Sequence, residues 1–243
     1  MKIILKLFTI ILVFFPFFRQ LAGQTIDISE TTKYWRTLFD NYYGPDHNLI
    51  NGIKYIDYRP NSTGHPFLGE NKIYPGTVII NQRTYNDLDL KYDIYTQELI
   101  LRYIDFSGAY NYIMLNKEFI SEFIIGDHYF KQYVHTDGGG AQFYEVIASG
   151  EITCLWYWEK NMTHSVISVS DYYNYMPESK KTFLLIGDDF YEYTGTRSFL
   201  RQIPELIKEE VRNYVRSKRI RVGRASESQM IQLISYCNNL LKK

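Results

Sequence analysis

Apolar and polar side chains alternate strictly in the middle of the chain. Leu88, Leu90, Tyr92 and Ile94 fall on one side of an extended backbone, and the aspartates and lysine between them fall on the other. A period of two is typical of a β-strand with one buried face. Each buried Leu or Ile contributes roughly 1.5–3 kcal/mol, so the apolar positions set the register of this strand.

Similar runs, rich in β-branched and aromatic residues, recur at close spacing up to residue 193. They predict strands over 76–80, 87–93, 98–104, 110–115, 119–125, 129–134, 143–148, 152–158, 165–169, 182–186 and 190–193. Sequential strands with short connections pair as antiparallel neighbours. Because about ten strands curl or close, we expect a curved sheet, a sandwich or a partial barrel.

The apolar period changes to three and four residues at both ends of the chain. An N-terminal helix is predicted after Ser29, with Trp35 expected in the core. Two helices are predicted within 197–243, the first with Pro204 in its first turn and the second beginning at a capping box on Ser226. Residues 24–243 are thus predicted to be a single α+β domain, an antiparallel β-meander over 76–193 with terminal helices. The long irregular segment 46–75 either wraps the sheet or has a function of its own.

The first 23 residues have the pattern of a secretory signal peptide: early lysines, an apolar run, and small residues before Gln24. An uncleaved membrane anchor is the alternative, but the apolar run is short for a span and Pro16 and Arg19 interrupt its end. Gln24 stands where a lipoprotein has its acylated Cys. We therefore expect an exported protein, in the periplasm or at the outer membrane, without a lipid anchor.

The charge balance argues against nucleic acid as a partner. The formal net charge is zero, and removing the first 23 residues takes away Lys2, Lys6 and Arg19 but no acid. A nucleic-acid-binding domain carries a clear positive excess, which this chain lacks.

One stretch is nonetheless strongly basic. RSKRIRVGR contains Arg216, Lys218, Arg219, Arg221 and Arg224 and no acid. Cations gather at a helix C-terminus because they complement its dipole. In an exported protein, the same cations can bind an anionic membrane surface or an acidic envelope protein.

A second candidate surface is aromatic. Trp156 and Trp158 share one face of a predicted strand with Cys154. If that face is exposed, the two rings form a stacking platform for a glycan, and if it is buried they are core. Cys154 and Cys237 either form a disulfide, worth roughly 4 kcal/mol for so long a loop, or remain two buried thiols.

The familiar catalytic spacings are missing. The sequence has no G-x-S-x-G, H-E-x-x-H, phosphate-binding G-x-x-x-x-G-K or C-x-x-C motif, and its five histidines are scattered. No metal site and no cofactor are predicted. A hydrolase would need a site assembled from distant residues such as His135, Asp137 and His164.

Four segments together carry a resemblance. A Gly76–Val78 strand, the alternating strand from Tyr85 to Asp93, the N-K-x-F-I-x-x-F segment from Asn116 to Phe123, and the hairpin from Phe143 to Gly150 follow a signal peptide and precede two helices. In this order the chain resembles uncharacterised exported proteins of Bacteroidota. The resemblance implies a periplasmic or envelope location, and it transfers no activity and no catalytic residue.

Three functions follow, in order of preference. The first is a non-enzymatic envelope protein that binds an envelope protein or an anionic membrane surface through its basic stretch. The second is a glycan-binding module that uses Trp156 and Trp158, and the third is the hydrolase. The sequence leaves the oligomeric state and the partner's identity open.

Overall fold

The computed structural model describes residues 46–242 apart from 58, 60, 61, 106, 135–139, 168 and 169, together with residues 34, 35 and 38. The chain divides into two compact units, Met1–Tyr42 and Tyr43–Lys243. In the first unit Tyr34, Trp35 and Leu38 are helical. Trp35 is 52% exposed, so the expectation that it belongs to the core is wrong. The predicted signal peptide lies outside the described residues.

The second unit is built on an antiparallel sheet of eleven strands. The strands are β1 (Ile53–Lys54), β3 (Tyr74–Ile80), β4 (Arg83–Asp93), β5 (Glu98–Ile104), β6 (Tyr110–Met114), β7 (Ile120–Ile125), β8 (His128–Val134), β9 (Ala141–Ala148), β10 (Ile152–Glu159), β13 (Ser179–Ile186) and β14 (Asp189–Glu192). Their order in the sheet is β1-β6-β5-β4-β3-β7-β8-β9-β10-β13-β14. The predicted α+β class and antiparallel meander are confirmed.

The sheet is strongly curved and not closed. Tyr92 of β4 lies 5.2 Å, 5.1 Å and 6.3 Å, between ring centroids, from Phe123 of β7, Phe130 of β8 and Phe143 of β9. These strands are two to four places from β4 in the sheet. Since neighbouring strands lie about 4.8 Å apart, four places in a flat sheet would separate the rings by roughly 19 Å. Curvature brings them together into one aromatic core.

The alternating strand has the predicted register. Leu88, Leu90, Tyr92 and Ile94 are at most 5% exposed. Asp93 departs from the pattern because it is also buried, and its carboxylate accepts hydrogen bonds from the backbone N–H groups of residues 95 and 96. A buried carboxylate is thus satisfied by the turn that follows its strand.

A smaller sheet combines β11 (Met162–Ile167), β12 (Ser170–Tyr175) and β2 (Ser62–Thr63), in the order β11-β12-β2. The hairpin β11–β12 replaces the single strand predicted over 165–169. β2 pairs in parallel with β12, so the segment 46–75 contributes a strand to this sheet. The ammonium of Lys160 also ties that segment down by donating to the carbonyls of His65 and Phe67.

Three helices follow the sheet: α1 (Thr196–Gln202), α2 (Glu205–Ser217) and α3 (Glu227–Leu241). The predicted helix with Pro204 in its first turn is α2, and Pro204 lies directly before its first residue. The short helix α1 precedes it and does not continue into it, because Pro204 lacks the N–H that a continuous helix needs. The capping box on Ser226 is present. Among the described residues, no helix has both the length and the apolarity that crossing a bilayer requires.

The helices cover one end of the sheet and form a second core with it. Apolar residues of β9, β10 and β13 meet apolar residues from all three helices, including Phe199, Val211 and Leu233, each fully buried. Trp158 packs against both cores. All three helices therefore pack on the same part of the sheet, and this packing fixes the positions of α1 and α2.

Candidate functional site

A groove of about 880 Å³ lies between α1, α2 and the turn that follows α2. Eleven of the described residues line it, and seven of these are cationic and none is acidic. They are Thr196, Arg197, Leu200, Arg201, Lys208, Arg212, Val215, Arg216, Arg219, Ile220 and Arg221.

The helical period aligns two rows of these cations. Lys208, Arg212 and Arg216 are four residues apart along α2, and Arg197 and Arg201 are four apart along α1. Residues at a spacing of four lie one above the other on the same side of a helix. Both rows line the groove, so the two helices direct their cations into it.

The third side of the groove is the turn after α2, which contributes Arg219 and Arg221. The helix ends in a Schellman motif: the N–H of Ile220 donates to the carbonyl of Val215 at 3.0 Å, and the N–H of Arg219 donates to the carbonyl of Arg216 at 3.1 Å. Arg219 has φ +53°, a left-handed conformation that favours glycine. An arginine thus occupies the usual place of a helix-ending glycine.

Close packing holds this turn against α1. The N–H of Val222 donates to the hydroxyl of Thr196 at 3.3 Å, and Val222 is 4% exposed. Gly223 lies so near the backbone that a Cβ atom there would come within 2.3 Å of the carbonyl oxygen of Thr194. The position of Arg221 is consequently set by its neighbours in the turn.

Most of the lining cations have no carboxylate partner in the part of the chain that the structure describes. Lys208 pairs with Glu205 and Arg212 with Glu209, two exposed acids outside the groove. None of the other five lining cations forms an ion pair with a carboxylate that the structure describes. Like charges so close together repel, and an anion in the groove relieves that repulsion.

The apolar side chains of the groove are at its base. Val215 and Ile220 are buried, at 4% and 7% exposure, and Leu200 is half-buried. Arg197, Arg201, Arg216, Arg219 and Arg221 are exposed. The groove therefore combines an apolar floor with a cationic rim.

The structure brings together three of the five predicted basic residues. Arg216, Arg219 and Arg221 line the groove, whereas Lys218 and Arg224 are exposed and do not line it. Sequence reasoning missed Arg197, Arg201, Lys208 and Arg212, which lie outside the basic stretch. Their four-residue spacing on two successive helices was the signal that could have found them.

A second polar cluster is buried near the junction of the two cores. The carboxylate of Glu145, 3% exposed, is paired with Nδ1 of His128 and accepts a hydrogen bond from Nε1 of Trp158 at 2.6 Å. The hydrogen bond to Glu145 raises the pKa of His128 above its ordinary value. The sequence signal for Glu145 was its position on the same strand face as the apolar Phe143 and Ile147.

Lys180 contacts the two tryptophans that were predicted as a glycan platform or as core. Its ammonium lies 2.8 Å from the ring centroid of Trp156 and 5.1 Å from that of Trp158. Trp156 is 4% exposed, and its indole N–H finds no acceptor among the described residues. Burial lowers the pKa of Lys180. The face of Trp156 is thus buried and partly covered by an ammonium rather than open for stacking.

Both cysteines are free thiols in the structure, and both are buried. The Sγ atom of Cys154 lies 3.3 Å from the hydroxyl of Tyr193. Burial raises the pKa of Cys154 to about 11 and that of Cys237 to about 12. The structure therefore contains the two buried thiols that were the alternative to a disulfide, and such thiols are poorly reactive.

The residues of the hydrolase hypothesis are only partly described. His135 and Asp137 lie outside the described residues, and His164 is exposed and stacks on Tyr173 at 4.9 Å between centroids. In the part of the chain that the structure describes, no group of three His, Cys, Asp or Glu side chains could hold a metal ion.

In comparisons with known proteins, no family model, no curated protein and no solved structure matches this chain. A function must therefore be argued from the groove and its chemistry.

Proposed function

We propose that the protein is a non-enzymatic binding protein of the cell envelope, and that it attaches to an anionic membrane surface through the cationic groove. The observation that carries the proposal is the lining of that groove, where seven of the eleven side chains that the structure describes are cations and none is an acid. The N-terminal signal pattern supports the location.

The expected strength of such attachment is moderate. A Lys or Arg near an anionic membrane surface contributes about 1 kcal/mol, so the five cations without a described carboxylate partner supply at most about 5 kcal/mol. This attraction is screened within a Debye length of about 8 Å at physiological salt. Binding should therefore weaken steeply as salt is raised.

The first prediction compares two pairs of cations from the same basic stretch. R216E/R219E reverses two lining residues, and K218E/R224E makes the same charge change at two exposed positions outside the groove. We expect R216E/R219E to weaken binding to vesicles containing phosphatidylglycerol at least tenfold, and K218E/R224E to weaken it much less. Co-sedimentation with vesicles at physiological salt measures the binding of both variants. Any contribution of the N-terminal segment to binding is the same in every protein compared, because all of them contain it.

The outcome shows whether the groove or the overall charge of the protein attracts it to the membrane. Equal weakening by the two double variants would mean that overall charge, and not the groove, drives attachment. Binding that neither variant changes would overturn the proposal. If vesicles are not bound at all while an acidic envelope protein is captured in a manner that R216E/R219E abolishes, the partner is that protein and the membrane assignment is wrong.

A further inference from the structure

We infer that the groove is a discrete site for one phosphate-bearing amphiphile, with its phosphate at the cationic rim and its apolar part on the floor. The inference rests on the proposed function and narrows it from an anionic surface to a single ligand molecule. It is carried by the shape and composition of the groove.

The floor is the first argument. Leu200 is half-buried and lines the groove together with the buried Val215 and Ile220, so the open apolar surface between the charged sides is mainly that of Leu200. A site that only attracts a charged surface has no need of such a floor. Apolar surface that remains open to water favours a ligand that covers it with an apolar group of its own.

The size of the groove is the second argument. Its volume of about 880 Å³ lies within the range of roughly 300–1,000 Å³ that organic ligands occupy in proteins. An inorganic anion would fill only a small part of it. The groove therefore has room for an organic body beside a charged group.

The choice of cations is the third argument. Six of the seven lining cations are Arg and one is Lys. The planar guanidinium donates two parallel hydrogen bonds to phosphate oxygens, a geometry that the ammonium of Lys does not offer. The two arginines of α1, the two of α2 and the two of the turn surround one groove and fit a phosphate group with more than one negative charge.

The test uses soluble short-chain lipids below their aggregation threshold, measured by isothermal titration calorimetry on the whole protein. Dihexanoyl phosphatidic acid carries both the phosphate and the chains. Glycerol 3-phosphate carries the phosphate alone, and dihexanoyl phosphatidylcholine carries the chains with a zwitterionic head group. We expect the phosphatidic acid to bind at least tenfold more tightly than either of the other two.

Two variants, each with a control, separate the rim from the floor. R216E/R219E should abolish binding of both phosphatidic acid and glycerol 3-phosphate, whereas K218E/R224E should change neither. Leu200→Gln should weaken phosphatidic acid about tenfold and leave glycerol 3-phosphate unchanged. Leu200→Met, which restores an apolar side chain of similar size, should recover the affinity, and circular dichroism checks that both Leu200 variants are folded.

The results distinguish this inference from the proposed function. Vesicle attachment without binding of monomeric phosphatidic acid would overturn the discrete site and leave surface attachment standing. Equal affinity for phosphatidic acid and glycerol 3-phosphate would show that the floor takes no part. Loss of all binding, to vesicles and to monomers, would overturn both.

Discussion

Arg219 has a left-handed backbone conformation, which favours glycine, and its side chain lines the groove. A non-glycine residue in the left-handed region costs of order 1 kcal/mol or more. The Schellman motif itself needs only the backbone, so glycine would satisfy it equally well. What arginine adds at this position is a cation at the rim.

Arg219→Gly is accordingly predicted to stabilise the fold while it weakens anion binding. We expect the free energy of unfolding in urea to rise by about 1 kcal/mol, reduced by the greater freedom of glycine in the unfolded chain. Vesicle binding should fall severalfold in the same protein. Arg219→Ala, which removes the cation and keeps the left-handed conformation, should weaken binding similarly without the gain in stability. If Arg219→Gly destabilises the protein, the conformation is not strained.

His128 shows how one buried carboxylate makes stability depend on pH. Glu145 is paired with His128 and raises its pKa, and the charges of Glu227 and Asp127 raise it further. A folded pKa above the unfolded value of about 6.5 means that protonated His128 stabilises the native state. That contribution is complete below the unfolded pKa and is lost as the pH rises through the folded pKa.

We therefore predict that the free energy of unfolding decreases as the pH is raised from about 5.5 towards the alkaline side. His128→Gln should flatten this dependence, because the titrating partner of Glu145 is gone. Urea titrations at several pH values measure the slope, with His164→Gln, the loss of an exposed histidine, as the control. A slope that His128→Gln leaves unchanged would assign the dependence to other groups.

At the scale of elements, the groove depends on a turn pressed against the start of α1. Gly223 has no room for a side chain because of the carbonyl of Thr194, and Val222 is bonded to Thr196. These contacts hold the turn that brings Arg221 to the same groove as the arginines of α1. The position of Arg221 at the rim therefore depends on the packing of the turn against α1.

Gly223→Ala is predicted to shift the turn and reduce binding to anionic vesicles severalfold. The added methyl group would lie 2.3 Å from the carbonyl oxygen of Thr194, so the turn must move away from α1 and carry Arg221 with it. Gly195→Ala is the matched control, because a Cβ atom at that position meets no atom within 4 Å. Co-sedimentation compares the two, and equal binding by both would show that the position of Arg221 does not matter.

At the scale of the second unit, Tyr43–Lys243, a curved sheet supports two cores. One is formed by the sheet folding over itself around Tyr92, and the other by helices packed on β9, β10 and β13. Asn238 of α3 fastens the helices to the hairpin between β9 and β10: its side chain accepts from the N–H of Ile152 at 2.8 Å and donates to the carbonyl of Ile152 at 2.9 Å. The groove lies in the helical layer, which this junction holds against the sheet.

The elements of this protein follow from local pattern. Period-two alternation predicted the register of β4, and spacings of three and four predicted the C-terminal helices, because both signals come from residues close together in the chain. Two elements differ from the prediction. A short helix, α1, precedes the predicted helix that begins after Pro204, and a short hairpin took the place of one strand over 165–169.

The sites follow from contacts between distant segments. The sequence determined that Arg216, Arg219 and Arg221 are clustered, but it could not show that Arg197 and Arg201 would stand across from them, because that depends on how α1 and α2 pack on the sheet. It likewise placed Trp156 and Trp158 on one strand face without deciding whether that face is buried. Side-chain period is a property of a single element, whereas burial and the meeting of charges arise only when elements pack. The tertiary structure therefore decided that a basic stretch became one side of a groove and that two tryptophans became part of a core.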